Sequence, residues 1–251
     1  MPDTWGNALS SYRYPVALAN FQDAHRFPKW FSFELGNGER SRTIEFESHF
    51  KKHAQKDIAV WLEVVFWKLY SQGRYRRDLH TINVATHFHV KGISAKSLWQ
   101  ACMTYISKPT SATFESFRQL FGFTSPARPI AVAATFPAFI DPESYSMVDT
   151  RIAKWVGNCM TAHNEADRTG PQLIRPPFCD SQGTVLTMAD FEFMQHWNRW
   201  CIYTAQKLTK LTPISWRARD VEMAIFYAWG TRRGRRCNHH PMVHLNPLER
   251  T

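Results

Sequence analysis

The most informative part of this chain is residues 132–152, which read VAATFPAFIDPESYSMVDTRI. Residues 130–140 are apolar and predict a helix, and the Asp141-Pro142-Glu143 sequence predicts a turn after it. Asp149 then begins an amphipathic helix, and from the residues alone its carboxylate is expected to cap the free amides of the first helical turn. The apolar side of that helix carries Ile152, Trp155, Val156 and Cys159.

Outward from this stretch, apolar residues recur at intervals of three and four and predict a mainly α-helical protein. Residues 78–93 are ambiguous by the same test. The other predicted helices are two between Thr43 and Leu69, one from Ser94 to Tyr105, one from Thr110 to Leu120, one from Met188 to about Leu208 and one from Arg217 to Trp229.

The chain divides into three predicted parts. Residues 1–42 are an aromatic-rich N-terminal segment in which Lys29–Leu35 alternates like a short strand. Residues 43–230 form the helical domain, which a proline-rich loop interrupts at residues 170–183. Residues 231–251 form a basic C-terminal tail.

The composition is that of a globular protein. The chain has 251 residues, of which 44% are hydrophobic and 21% charged, and this excludes a disordered tail protein or a collagen-like fibre. Neither a membrane-spanning run nor a secretory signal is visible, so we expect a soluble, cytoplasmic protein. The cysteines lack the spacing of a disulfide framework or a zinc site, and we expect reduced core thiols. They are Cys102, Cys159, Cys179, Cys201 and Cys237.

The charge balance predicts a polyanionic partner. There are 31 Lys and Arg against 21 Asp and Glu, a formal net charge of +10, and nucleic acid is the first partner to test. The alternative is an ordinary basic enzyme whose charge only keeps it in solution. Two basic clusters are expected to contact phosphates, unless they are simply a solvated surface. They are Lys68, Arg74, Arg76 and Arg77, and Arg232, Arg233, Arg235 and Arg236.

Residues 148–152, VDTRI, resemble the VDTHV segment of the helix–hairpin–helix DNA glycosylase superfamily. In that family a hairpin and its second helix precede the catalytic Asp by about this distance. Residues 132–143 are similar to divergent members of the family, and Arg219–Ala224 resembles a helix that those members also carry. The resemblance implies a helix–hairpin–helix glycosylase-like helical bundle with Asp149 as its catalytic residue.

The hairpin departs from the family's usual Gly-x-Gly, whose amides approach a DNA phosphate closely. Residues 121–129 read FGFTSPARP and contain the single glycine Gly122. The resemblance therefore assigns phosphate contacts to the backbone of Gly122 and to Thr124, Ser125 and Arg128.

A second departure concerns the lysine that forms a Schiff base in bifunctional members of the family. Its expected place is Ala131, and no lysine lies between Lys108 and Lys154. Since no amine is placed to attack the sugar, the resemblance implies a monofunctional enzyme that leaves an abasic site. Arg151 stands where the family has His, and Arg151 and Lys154 are further candidates for DNA contact.

The implied chemistry suits a carboxylate. Breaking an N-glycosidic bond develops positive charge on the deoxyribose, and a nearby carboxylate stabilises that charge and can orient or deprotonate water. The base must first leave the stack, so a side chain that fills the gap is needed. Gln72 and Tyr75, in a basic turn, are the candidates for this wedge.

The predicted function is thus that of a monomeric, cofactor-free glycosylase. It would act on double-stranded DNA and remove a damaged base in repair or a modified phage base in antiviral defence. One alternative is a non-catalytic helical DNA-binding protein in which Asp149 is only a cap, and another is a metal-dependent nuclease. No metal site is predicted, because the two histidine groups, at residues 80–89 and 237–244, lack the paired spacing of zinc ligands.

Overall fold

The structure is a computed structural model that describes residues 2–12, 40–69, 74–122, 130–177 and 187–230. These ranges are mainly helical and contain no strand, which confirms the predicted class; the predicted strand at Lys29–Leu35 lies outside them. No described helix is long and apolar enough to cross a membrane. The helices are α1 (Pro2–Ser10), α2 (Arg40–His53), α3 (Ile58–Lys68), α4 (Arg74–Lys91), α5 (Ala95–Ser107), α6 (Ser111–Gln119), α7 (Ile130–Ala133), α8 (Thr135–Ile140), α9 (Thr150–Ala166), α10 (Met188–Leu211) and α11 (Ala218–Gly230).

The helices belong to two compact units, with boundaries after Tyr12 and after Ile140. The first unit is discontinuous in sequence, because it combines α1 with the later helices α9, α10 and α11. The second unit contains α2 to α8. The predicted basic tail, residues 231–251, lies outside the described residues.

In the second unit, α3 is the central helix. Its residues from Val60 to Trp67 are all buried, and all of them except Glu63 are apolar, as expected for a helix in the core. Trp61 packs its ring 5.1 Å from that of Phe50 and 4.8 Å from that of Phe136, measured between centroids. Its indole Nε1 donates to the Ala54 carbonyl at 2.6 Å, so this buried polar atom is satisfied.

Capping residues stand at the predicted starts of α5 and α6. The side chain of Ser94 accepts a hydrogen bond from the amide of Ser97 at the start of α5, and Thr110 caps α6 in the same way. The ambiguous residues 78–93 are mostly helical and belong to α4. α4 ends just before Gly92, whose φ is +62°. This backbone conformation is one that glycine adopts without steric cost.

In the first unit, α11 packs against α1, α9 and α10. α1 is not predicted from the sequence, and it is held by long-range contacts such as the perpendicular packing of Trp5 on Trp216, with 6.2 Å between ring centroids. The helices predicted to begin at Asp149, Met188 and Arg217 are confirmed as α9, α10 and α11.

The cysteines only partly match the sequence-based expectation. Cys102 and Cys201 are free and fully buried, as expected for core thiols. Cys159 is also buried, but it is disulfide-bonded, so the expectation of a reduced thiol is wrong at this position. Spacing along the chain does not show which thiols the fold brings together.

Candidate functional site

Asp149 lies at the N-terminus of α9 and is partly buried. Its backbone is extended, and its Oδ1 atom accepts hydrogen bonds from the amides of Arg151 and Ile152, both at 2.9 Å. These bonds confirm the predicted N-cap. They also fix the orientation of the carboxylate at the positive end of a 17-residue helix.

The segment before Asp149, residues 145–148, is buried although it has no regular secondary structure. α10 satisfies part of its backbone. The Ser146 amide donates to Asn198 Oδ1 at 3.0 Å, and Trp197 Nε1 donates to the Met147 carbonyl at 3.0 Å. The segment that leads to Asp149 is therefore attached to a neighbouring helix by side-chain hydrogen bonds.

A second attachment comes from α11. The amide of Arg219 donates to the Pro142 carbonyl at 3.0 Å, in the turn where the segment begins. The Arg219 side chain is fully buried and pairs with Glu222, which is 2% exposed. Because a buried charge is tolerated only when it is paired, Glu222 stabilises the buried Arg219 within α11, and the bond that attaches α11 to the turn is that of the Arg219 amide to Pro142.

An arginine fork lies at the same end of α11. The Arg217 guanidinium donates to both carboxylate oxygens of Asp220, at 2.8 and 3.1 Å. Burial raises the pKa of Glu143, and the Arg217 charge opposes that shift. Residues 219–224, which carry the second resemblance, thus belong to a helix whose start is attached to the turn at 142–144 by the Arg219 amide.

Arg151 and Lys154 differ in their surroundings on α9. The Arg151 guanidinium carbon lies 4.1 Å from the centroid of the Phe226 ring, a cation–π contact within the same unit. Lys154 is exposed. Of these two predicted DNA contacts, Lys154 is exposed, whereas Arg151 is packed on an aromatic ring.

The predicted hairpin is described only at its start. Gly122 follows α6 with a φ of +64°, and a Cβ atom built on it would lie 2.3 Å from the His87 ring. Glycine is therefore required here both by the backbone and by the packing of His87. Thr124, Ser125 and Arg128 lie outside the described residues.

The described residues continue from α7, which contains Ala131, through α8 to the turn before Asp149. The described helices thus follow one another in the predicted order, with α6, residues 122–129, α7, α8 and then the capped start of α9. The conformation of residues 123–129, and with it the hairpin itself, stays a prediction.

The basic clusters are only partly described. Arg74, Tyr75, Arg76 and Arg77 form the first turn of α4, but their side chains lie outside the described part, as do Gln72 and the arginines of the tail. Lys68, at the end of α3, is partly buried. The predicted wedge and the arginine clusters therefore stay predictions.

A charged cluster that is not predicted from the sequence surrounds Asp167, at the end of α9. Lys207 and Tyr203 of α10 both donate to its Oδ2, Tyr203 at 3.0 Å, while Thr169 and the Gly170 amide donate to its Oδ1 at 3.0 and 3.1 Å. Burial alone would raise the pKa of Asp167, but the hydrogen bonds from Lys207, Thr169 and Tyr203 outweigh it and lower the pKa to about 2. The cluster attaches the loop after α9 to α10.

One groove of about 550 Å³ lies in the second unit, between the start of α3 and the end of α4. Its lining is mostly apolar and consists of Ile58, Leu62, Ala85, Phe88, His89, Gly92 and Ile93. Near it, burial and the charge of Lys91 lower the pKa of His87. Within the described ranges, no group of three or more His, Cys, Asp or Glu side chains is arranged to hold a metal ion.

Comparisons with protein-family models, with curated protein sequences and with solved structures found no match to this chain.

Proposed function

We propose that this protein is a monofunctional DNA glycosylase in which Asp149 is the catalytic carboxylate. The reaction is hydrolysis of the bond between a damaged or modified base and its deoxyribose, with an abasic site as the product. The proposed partner is double-stranded DNA, the proposed nucleophile is water, and no cofactor is part of the proposal.

The observation that carries the proposal is the placement of Asp149. Its carboxylate is held by two amides through Oδ1, is partly buried, and lies at a helix start within the five-residue motif VDTRI. A catalytic group has to be fixed in orientation before the substrate arrives, and the cap bonds supply this. The order of α6, α7 and α8 before the motif supports the same reading.

In the proposed reaction the base leaves as the sugar becomes cationic. Asp149 would stabilise that cation and orient a water molecule for attack on C1′ of the deoxyribose. Lys154, exposed on α9 five residues after Asp149, supports the proposal as a contact for the DNA backbone. Ala131 provides no amine, so strand cleavage through a Schiff base is not expected.

The test uses duplexes that carry a panel of damaged and modified bases, incubated with the protein in EDTA and then heated in alkali. A glycosylase produces breaks that depend on alkali. Asp149→Asn should lower their rate about 10²- to 10⁴-fold while DNA affinity is kept.

The chain offers a matched control for this variant. Asp57 caps α3 through a 2.9 Å bond to the Ala59 amide, and asparagine is as good an N-cap as aspartate. Asp57→Asn should therefore leave the rate unchanged. Equal rates for the wild type and Asp149→Asn would refute the proposal.

The second candidate function is a non-catalytic DNA-binding protein. The observation that favours it is the same pair of cap bonds, because they give Asp149 a structural role without any reaction. The two functions separate in the experiment above. A binding protein shifts DNA in a gel and leaves every duplex of the panel intact after alkali.

A further inference from the structure

We propose that Asn198 is a positioning residue for the Asp149 carboxylate and that it acts through the backbone of residues 145–148. The inference rests on the proposed function, since it concerns the same carboxylate. Asn198 lies on α10 and is 7% exposed, whereas Asp149 begins α9.

The side chain of Asn198 makes two hydrogen bonds to one residue. Its Oδ1 accepts from the Ser146 amide at 3.0 Å and from the Ser146 hydroxyl at 2.8 Å. Ser146 is itself 2% exposed. Removal of this oxygen leaves two buried donors without their acceptor, and the segment has to move to find others.

Asn198 is one of three neighbouring residues of α10 that contact the segment 145–148. Trp197 Nε1 donates to the Met147 carbonyl at 3.0 Å, and the buried Cys201 thiol lies beside the Ser146 side chain. Since these two contacts remain when Asn198 is shortened, the expected result is a displaced segment rather than an unfolded one.

The displacement reaches Asp149 because the connection is short. Only Met147 and Val148 separate Ser146 from Asp149, and both are 1% exposed and packed. A movement of Ser146 therefore changes the position of the carboxylate relative to a bound sugar. Misplacement of a catalytic group by 1 Å can lower a rate about 100-fold.

The test compares three variants of the full-length protein. Asn198→Ala removes the acceptor, Asn198→Asp keeps an oxygen that can accept both bonds, and Ser146→Ala removes one of the two donors. The matched control is Asn164→Ala. Asn164 lies on α9 and makes two similar hydrogen bonds, at 2.8 and 2.9 Å, to the backbone of Leu173 in the loop that follows α9.

Two experiments are carried out on each variant. The first measures the single-turnover rate of alkali-labile site formation, alongside the Kd for the same duplex. The second measures amide hydrogen exchange of residues 145–152, which needs no activity. Asn198→Ala should lower the rate about 10- to 100-fold with Kd unchanged, and it should speed exchange in that segment. Ser146→Ala should have a smaller effect, and Asn198→Asp should recover most of the rate.

The outcomes separate the two proposals. If the wild type forms no alkali-labile sites, the proposed function fails, and with it the role of Asn198 in that reaction. If the wild type is active but Asn164→Ala lowers the rate as much as Asn198→Ala, the effect is general destabilisation and the positioning role is overturned. Unchanged exchange of residues 145–152 in Asn198→Ala and in Ser146→Ala also overturns it, whatever the activity.

Discussion

Replacement of Asp167 by asparagine should destabilise the protein at neutral pH and have little effect near pH 2. In the wild type, Asp167 accepts hydrogen bonds from Lys207, Tyr203, Thr169 and the Gly170 amide. A carboxyl whose pKa falls from 3.8 to about 2 on folding contributes at most roughly 2 kcal/mol to the free energy of unfolding. The site is partly exposed, and screening by solvent lowers the expected value to ~1 kcal/mol.

The sign follows from proton binding. Because the native pKa of Asp167 lies below the unfolded value, the unfolded chain binds more protons between pH 2 and 4. The contribution of Asp167 is therefore complete above about pH 5 and is lost as the pH falls through 4 towards 2. The asparagine variant lacks it at every pH.

The assay is urea unfolding of the wild type and Asp167→Asn at several pH values between 7 and 2.5. The difference in free energy of unfolding should shrink as the pH falls. Lys207→Met, which removes the ammonium partner, should reduce that pH-dependent difference when the two changes are combined in a double-mutant cycle. A difference that stays constant over this pH range would refute the argument.

Three further outcomes are expected. Gly122→Ala should lower the free energy of unfolding by about 1–2 kcal/mol because of the positive φ, and by a further amount because the added Cβ meets the His87 ring. Gly92 also has a positive φ but open space around its Cβ, so Gly92→Ala should lower the free energy of unfolding by about 1–2 kcal/mol only. Both values are measured by urea unfolding. Trp61→Ala should cost about 3–5 kcal/mol in the same assay, because it opens a cavity at the centre of the second unit. Lys154→Ala should lower the slope of log Kd against log salt concentration for DNA by about 1, measured by fluorescence anisotropy.

The sequence predicted those features of the fold that are decided locally. The predicted helix starts at Ser94, Thr110 and Asp149 are confirmed, because a side-chain oxygen before an apolar periodic run has a strong local preference for the N-cap position. α4 was ambiguous because its β-branched and histidine residues have modest helix propensity, and burial of Val84, Ala85 and Phe88 stabilises it in the folded chain.

Other features depend on partners far away in sequence. α1 is held by contacts such as that between Trp5 and Trp216, and the Asp167 cluster joins residues 40 positions apart. Neither contact leaves a local pattern in the sequence. The hydrogen bond between Ser146 and Asn198, which lies 52 residues later, is a contact of the same kind. The sequence therefore predicts the candidate carboxylate of Asp149 but not the contact that positions it.

The most direct test of the catalytic role of Asp149 is to compare the formation of abasic sites by the wild type and by Asp149→Asn. Asp57→Asn is the control, because it makes the same substitution at another helix N-cap. On a panel of duplexes with damaged and modified bases in EDTA, the wild type and Asp57→Asn should both produce alkali-dependent breaks. Asp149→Asn should remain folded and bind DNA, but its rate of break formation should be lower by about 10²-fold or more. Breaks at the wild-type rate from Asp149→Asn, or intact duplexes from the wild type across the panel, would contradict this role.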